Sequence, residues 1–310
     1  MLFIKSMQKM EIIFEDEHLI AINKPAMMVV NFSKTSQDHT VQEWFASYLK
    51  LGSGAVNDST FANKSTQSLP AWQALLPEHF PNLYGTPQDI FDQRQGIVHR
   101  LDKDTSGILL LAKNPGSLIN LLTQFRERQV KKKYLCLVHG QVKLDSGEIN
   151  LPLARCRVNR HKYAVDIDGR AAITHYRVIK RFPPQLMKDL VDCLTNWPIT
   201  INKDLITAKV RQELIRYQQG FSLLECLPQT GRTHQIRVHL SYLGHPLVAD
   251  HTYSGKRRVK LDSWWCPRHF LHAQAIRFSH PATNQQLVLQ APLSQELQLV
   301  LDWLEQVKRK

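Results

Sequence analysis

Five consecutive apolar residues, Ile108–Ala112, follow directly on a polar segment, His99-Arg-Leu-Asp-Lys-Asp-Thr-Ser-Gly107. So short a continuous apolar run has no one-sided periodicity, and it predicts a strand covered on both faces. A strand of that kind belongs at the centre of a layered domain. Asp102 stands at its mouth, between Arg100 and Lys103. In a partly closed environment an unpartnered carboxylate tends to protonate, whereas a nearby cation holds it ionised. An ionised, desolvated carboxylate is a nucleophile or a base. Asp, Lys, Asp, Thr, Ser and Gly are also the residues of an ordinary surface turn. Local chemistry leaves both readings open.

The flanking sequence predicts strands and helices without regular βαβ alternation, which is the pattern of an α+β domain. Residues Glu11–Phe14 and Leu19–Asn23 read as a hairpin, and Thr40–Leu51 as a helix opened by a Thr40/Glu43 capping box. A second helix is expected over Leu118–Phe125, and strands over Tyr134–Val138, around 153–158 and 172–181, and over Phe221–Leu227. Helices over Thr233–Leu243 and Glu296–Lys308 complete the series. Residues 52–95 are loop-rich, with at most a short helix near Ala71. The stretch 183–220 reads as an insertion with a small helix carrying Met187, Leu190, Val191 and Leu194. No linker divides the chain, so residues 1–310 are expected to form a single domain.

Charge narrows the partner. Forty Lys and Arg against 27 Asp and Glu leave a formal net charge of +13. The excess gathers in Arg126–Lys133, Arg155–Lys162 and Lys256–Lys260, the electrostatic footprint of a nucleic-acid-binding protein. No apolar run is long enough to span a membrane, and the first ten residues lack a signal peptide. Five widely spaced cysteines argue for free thiols in a reducing cytoplasm, the expected location. The 14 histidines offer no helical ligand spacing: His234 and His239 are five apart, His239 and His245 six, and His269 and His272 would face opposite sides of a strand. No metal site is expected, and no glycine-rich phosphate loop is present. Asp102 and Asp104 are a weak signal for a glycosidase pair. The segment Gln229–Leu240 reads as a Thr-Gly turn opening a helix, with Arg232, His234 and Arg237 in its first turn. Such an end attracts anions, and Arg232 is a candidate to grip either Asp102 or a phosphate.

Together these segments resemble the RluA-type pseudouridine synthases. His99–Gly107 is similar to that family's signature, and Ile22-Asn-Lys-Pro-Ala26 to its lead-in motif. Lys133-Tyr-Leu-Cys-Leu-Val-His-Gly140 resembles its tyrosine-bearing strand, and Thr230–Leu240 with Gly244-His-Pro246 its arginine motif. Leu271–Pro281 also fits, so the likeness spans about residues 11–305. The resemblance implies a mixed, largely antiparallel central sheet with flanking helices and an active cleft across it. It makes Asp102 the catalytic aspartate, Tyr134 the ring packing on the target base, and Arg232 the partner of Asp102. Arg100 would enter the RNA where the target nucleotide has left the stack. Lys131, Lys132, Lys133 and Arg237 are the expected RNA contacts. The implied activity is isomerisation of uridine to pseudouridine in structured ribosomal or transfer RNA. It requires no metal, nucleotide or redox cofactor and no obligatory protein partner. Similarity that starts by residue 11 leaves no room for an N-terminal RNA-binding domain. Met27 departs from the pattern, standing where the family has Gly after Lys-Pro-Ala. A non-catalytic RNA-binding protein on the same fold is the alternative; it would need the basic clusters but not Asp102.

Overall fold

The computed structural model describes residues 10–32, 39–52, 85–184 and 219–306. Strands β1 (Glu11–Glu15) and β2 (Leu19–Lys24) form the expected antiparallel hairpin. Helix α1 (Val41–Gly52) begins where the capping box predicts: Thr40 Oγ1 accepts from the Glu43 N–H at 3.1 Å, and Glu43 Oε2 accepts from the Thr40 N–H at 2.8 Å. Helix α2 (Pro87–Arg94) lies inside the stretch read as loop. Its signal was Thr86-Pro87 followed by Asp89, a second capping box with Pro in the first turn. The helix expected near Ala71 and the one over Met187–Leu194 lie outside the described residues.

Strand β3 (Ser106–Ala112) contains the apolar run and is buried along its whole length. Helix α3 (Pro115–Arg126) and strands β4 (Lys131–His139), β5 (Ser146–Asn150), β6 (Leu153–Arg155), β7 (Tyr163–Val165), β8 (Ile173–Phe182) and β9 (Phe221–Pro228) follow. Helices α4 (Gln235–Tyr242) and α5 (Lys256–Asp262), strands β10 (Leu271–Ser279) and β11 (Gln286–Gln290), and helix α6 (Gln295–Gln306) complete the order. The fold is α+β. Its sheet is mixed and largely antiparallel, with nine strands among the described residues in the order β1-β2-β3-β10-β4-β9-β8-β5 and β11 paired to β10. Strands β6 and β7 form a separate two-stranded ribbon. No helix of the described residues is long and apolar enough to cross a membrane.

The chain divides into two compact units, each assembled from separate stretches. The first comprises Met1–Lys103, Gly107–Val130 and Ile276–Ala291. In it β2 pairs antiparallel with β3, from Leu19 opposite Ala112 to Lys24 opposite Gly107. Leu19–Ile22 and Leu109–Ala112 are fully buried there, as are Val41 and Phe45 of α1. The second comprises Asp104–Ser106, Lys131–Ala275 and Pro292–Lys310. In it β4 alternates between two cores, as the period of a strand requires. Leu135 and Leu137 pack with Phe221, Trp265, Val300 and Trp303. Cys136 and Val138 pack with Leu224, Ile236 and Leu240, and Tyr134 lies on this second side.

Met27 adopts φ 64, in the left-handed region that favours glycine, and its side chain is 72% exposed. The turn after Lys24-Pro25-Ala26 therefore keeps a glycine-like backbone with a methionine in it, at a steric cost and with little packing in return. Replacing Met27 with Gly is expected to raise stability by about 1 kcal/mol. An unmoved or lowered denaturation midpoint would show that the methionine side chain contributes more than its strain costs.

Candidate active site

The His99–Gly107 loop is held at nearly every residue around Asp102. At its start, His99 Nε2 accepts from the Leu110 N–H at 3.0 Å, and its ring stacks on Phe125 with centroids 4.7 Å apart. Leu101 is buried, Arg100 exposed and Asp102 half-buried. Lys24, itself completely buried, donates from Nζ to the carbonyls of Pro25 (2.7 Å), Met28 (2.9 Å) and Lys103 (3.1 Å). One cation thus ties the lead-in turn to the residue after Asp102.

The end of the loop belongs to the second unit. There Arg268 donates from Nη1 to the Asp104 carbonyl at 2.9 Å and from Nη2 to Ser106 Oγ at 2.6 Å. Its Nε and Nη2 also hold Glu296 Oε1, at 3.1 and 2.9 Å. Thr105 Oγ1 bonds His269 Nε2 and Ser106 Oγ bonds His272 Nδ1, both at 2.9 Å. Thr105 and Ser106 are buried, so this part of the loop is not a solvated turn. Lys24, Arg268, His269 and His272 were not identified from sequence as holding this loop. The sequence offers the His269/His272 spacing only as a possible metal pair; in the fold His269, just before β10, and His272, within it, each meet a hydroxyl at the mouth of β3.

Strand β4 and the loop before α4 carry most of the other expected residues. Tyr134 is half-buried, opposite Cys226 of β9 and on the side of Ile236 and Leu240. Lys131 is exposed. Lys132 follows the Tyr134 side, two residues away, and donates to the Thr230 carbonyl at 3.3 Å. Burial, with the neighbouring charge of Lys131, brings its ammonium down to about 8. Lys133 pairs with Glu225 Oε2 at 2.9 Å, and Arg177 takes the other oxygen of that carboxylate at 3.2 Å.

The arginine motif differs from its sequence reading in two respects. Helix α4 starts at Gln235, because His234 takes a left-handed backbone with φ 56. Arg232 and His234 therefore belong to the preceding turn, not to the first helical turn. Arg232 is half-buried, and its Nε donates to the Ala171 carbonyl at 3.1 Å. Arg237 is in the first helical turn but is buried, with Nε and Nη2 both 2.8 Å from the Asp250 carboxylate. Burial pushes that carboxyl up, but the Arg237 guanidinium outweighs it and holds Asp250 below its ordinary value. Breaking so buried a pair costs about 3–5 kcal/mol. Arg237 accordingly leaves the set of expected RNA contacts: its guanidinium is committed to Asp250.

Gln235 organises the Arg232 turn. Its Oε1 accepts from the Thr230 hydroxyl (2.6 Å) and the Arg232 N–H (3.0 Å). Its Nε2 donates to the Ile173 carbonyl and to Thr174 Oγ1, both at 2.9 Å. The Thr174 hydroxyl bonds His239 Nδ1 at 2.9 Å, and His239 Nε2 donates to the Leu151 carbonyl at 3.0 Å. Burial lowers the His239 pKa, which favours the neutral ring that this pattern requires. Replacing Gln235 with Leu would strand at least two buried polar partners and is expected to cost about 3 kcal/mol. A thermal midpoint within 1 °C of wild type would exclude this role.

Comparison with known proteins agrees with the fold. The family model described as RNA pseudouridylate synthase matches residues 18–242. The chain is 33% identical over 300 residues to the ribosomal large subunit pseudouridine synthase D of Zymomonas mobilis, covering 95% of this chain and 73% of that protein. It is 33% identical over 297 residues to the ribosomal large subunit pseudouridine synthase C of Vibrio vulnificus, covering 94% and 69%. Among solved structures, human RNA pseudouridylate synthase domain containing 4 superposes with a TM-score of 0.59 at 20% identity, covering 95% and 93% of the two chains. At that identity the likeness concerns the fold.

Proposed function

We propose, from the premise that this chain belongs to the RNA pseudouridylate synthase family, that it converts uridine to pseudouridine in large-subunit ribosomal RNA with Asp102 as the essential carboxylate. The observation that carries the assignment of Asp102 is the restraint of its loop: Lys24 at Lys103 and Arg268 at Asp104 fix the backbone on its C-terminal side. A reacting group held this way loses little freedom when substrate arrives. The reaction breaks the N1–C1′ glycosidic bond, turns the base and joins C5 to C1′. N1 gains a proton and C5 loses one, so all other atoms are conserved. The uracil leaves its stack first, at a cost of a few kcal/mol. Tyr134 offsets part of that cost by packing on the extruded base, and Arg100, exposed beside Asp102, fills the vacated stack. Arg232 serves as the cationic partner of the Asp102 carboxylate. The cytoplasm is the proposed location.

Tritium release from RNA labelled with 5-³H-uridine tests this directly, using ribosomal RNA from a strain lacking the protein. Wild type is expected to release tritium. Asp102→Asn is expected to release none while binding RNA with affinity within about threefold of wild type. Turnover retained by Asp102→Asn would remove this carboxylate from the reaction.

Lys132 gives the proposal a pH signature. With its pKa brought down to about 8, it is cationic below that pH and neutral above it. If it contacts a phosphate, the contact weakens as pH rises from 7 to 9, and the salt dependence of RNA binding becomes shallower by about 0.7–0.9 in log–log slope. Lys132→Arg keeps the charge throughout and should remove the change. An identical slope for wild type at both pH values would take Lys132 out of the RNA contacts.

A further inference from the structure

Gln235 holds the Arg232 turn at Thr230 and at Arg232 itself. The last residue of that turn, His234, takes φ 56 and ψ 18, a left-handed conformation that is costly for any residue with a Cβ. Such a conformation persists only where its surroundings impose it. Tyr253 supplies those surroundings. Its Oη bonds His234 Nδ1 at 2.9 Å, and the two rings meet edge to face, 5.6 Å between centroids and 82° between planes. The same oxygen accepts the Tyr163 N–H at 2.9 Å.

Tyr253 is itself fixed from several directions. Asp250 Oδ1 accepts the Thr252 N–H at 2.9 Å and the Tyr253 N–H at 3.1 Å. The Arg237 guanidinium, paired to the same carboxylate, lies over the Tyr253 ring, 5.1 Å from its centroid. The ring packs with Ala172 and Val238, and Ala172 follows the residue whose carbonyl accepts from Arg232 Nε. The buried Arg237–Asp250 pair therefore holds Tyr253, Tyr253 holds His234, and His234 ends the turn that carries Arg232. A phenol is a rigid strut: with its ring and backbone fixed, the hydroxyl has one place to be, and His234 must meet it there. The Arg237–Asp250 pair thereby gains a use within the arginine motif.

We infer that Tyr253, held by the Arg237–Asp250 pair, is a positioning residue for Arg232, acting through His234 to fix the turn 229–234. This rests on the role proposed above for Arg232 and adds what keeps that side chain in place. Removing the Tyr253 hydroxyl leaves the Arg232 charge present but misplaces it. Misplacing a group by about 1 Å slows the chemical step by up to about 100-fold. Substrate binding made elsewhere on the protein is retained, so the effect appears in kcat rather than in KM.

The test pairs Tyr253→Phe, which keeps the ring and its packing, with His234→Gly, which takes the left-handed backbone without strain. By tritium release, each is expected to lower kcat about tenfold with KM within about twofold of wild type. In His234→Gly, relief of strain offsets the added freedom of the unfolded chain, keeping the thermal midpoint within about 2 °C of wild type. A fall in kcat there is therefore not a loss of fold. Because both substitutions remove the same bond, the double variant should be no slower than the slower single one. Unchanged kcat in Tyr253→Phe, or losses that multiply in the double variant, would overturn the inference. Hydrogen exchange at the Arg232 amide, which donates to Gln235, needs no turnover and is expected to be about tenfold faster in both variants. If wild type releases no tritium, the activity proposed above fails by itself, and an unchanged exchange rate in the variants separately overturns the positioning role.

Discussion

Lys24 carries the constraint on which the Asp102 loop depends. A lysine ammonium is normally found in water, and removing it from water is costly unless its donors are satisfied. Here the bonds to the backbone carbonyls of Pro25, Met28 and Lys103 go toward meeting that requirement. The position follows from register. β2 pairs with β3 so that Lys24 is opposite Gly107, the last residue of the loop and one with φ 113. Only glycine takes that backbone without strain, so the loop closes against the strand end that carries the lysine. Truncating the lysine would do more than remove a charge: carbonyls on both the turn and the loop would lose their donor.

The second unit solves a similar problem differently. Gln235 is neutral, and its amide is matched at both ends: two donors reach its oxygen, and its nitrogen reaches two acceptors. A buried amide so fully paired specifies one geometry for the turn it serves, because any displacement breaks several bonds together. Arg268 adds the charged counterpart, joining Asp104, Ser106, Ser294 and Glu296 through one guanidinium. The loops that carry Asp102 and Arg232 are thus both fixed through their backbones by neighbouring side chains.

The legible part of this fold was what depends on neighbours in sequence. The Thr40/Glu43 box, the hairpin ahead of Lys24, the apolar run of β3 and the one-sided pattern of α3 each specify local structure from a few adjacent residues. Asp102, Tyr134 and Arg232 are assigned as site residues only through the family resemblance, and stand as proposals. Less legible were contacts that only the fold brings together. Nothing near Arg237 in sequence announced Asp250, 13 residues on, so a buried ion pair read as a phosphate contact. Nothing announced that His269 and His272 would meet Thr105 and Ser106 across more than 160 residues. The left-handed His234 was equally hidden, because histidine gives no composition signal for a positive φ. Helix α2 was legible in principle, from Thr86-Pro87 and Asp89, but was masked by the polar residues around it.

Net charge and binding surface are therefore separate quantities in this chain. The formal +13 counts Lys24, Arg237 and Arg268, yet all three are buried and committed to carbonyls or carboxylates. Lys133 and Arg177 share Glu225, which reduces what they can offer to a phosphate. A composition argument can therefore name the class of partner, because long-range attraction sums over every charge. It cannot name the contacts, because a cation spent inside the fold adds to that sum without releasing any counterion from RNA.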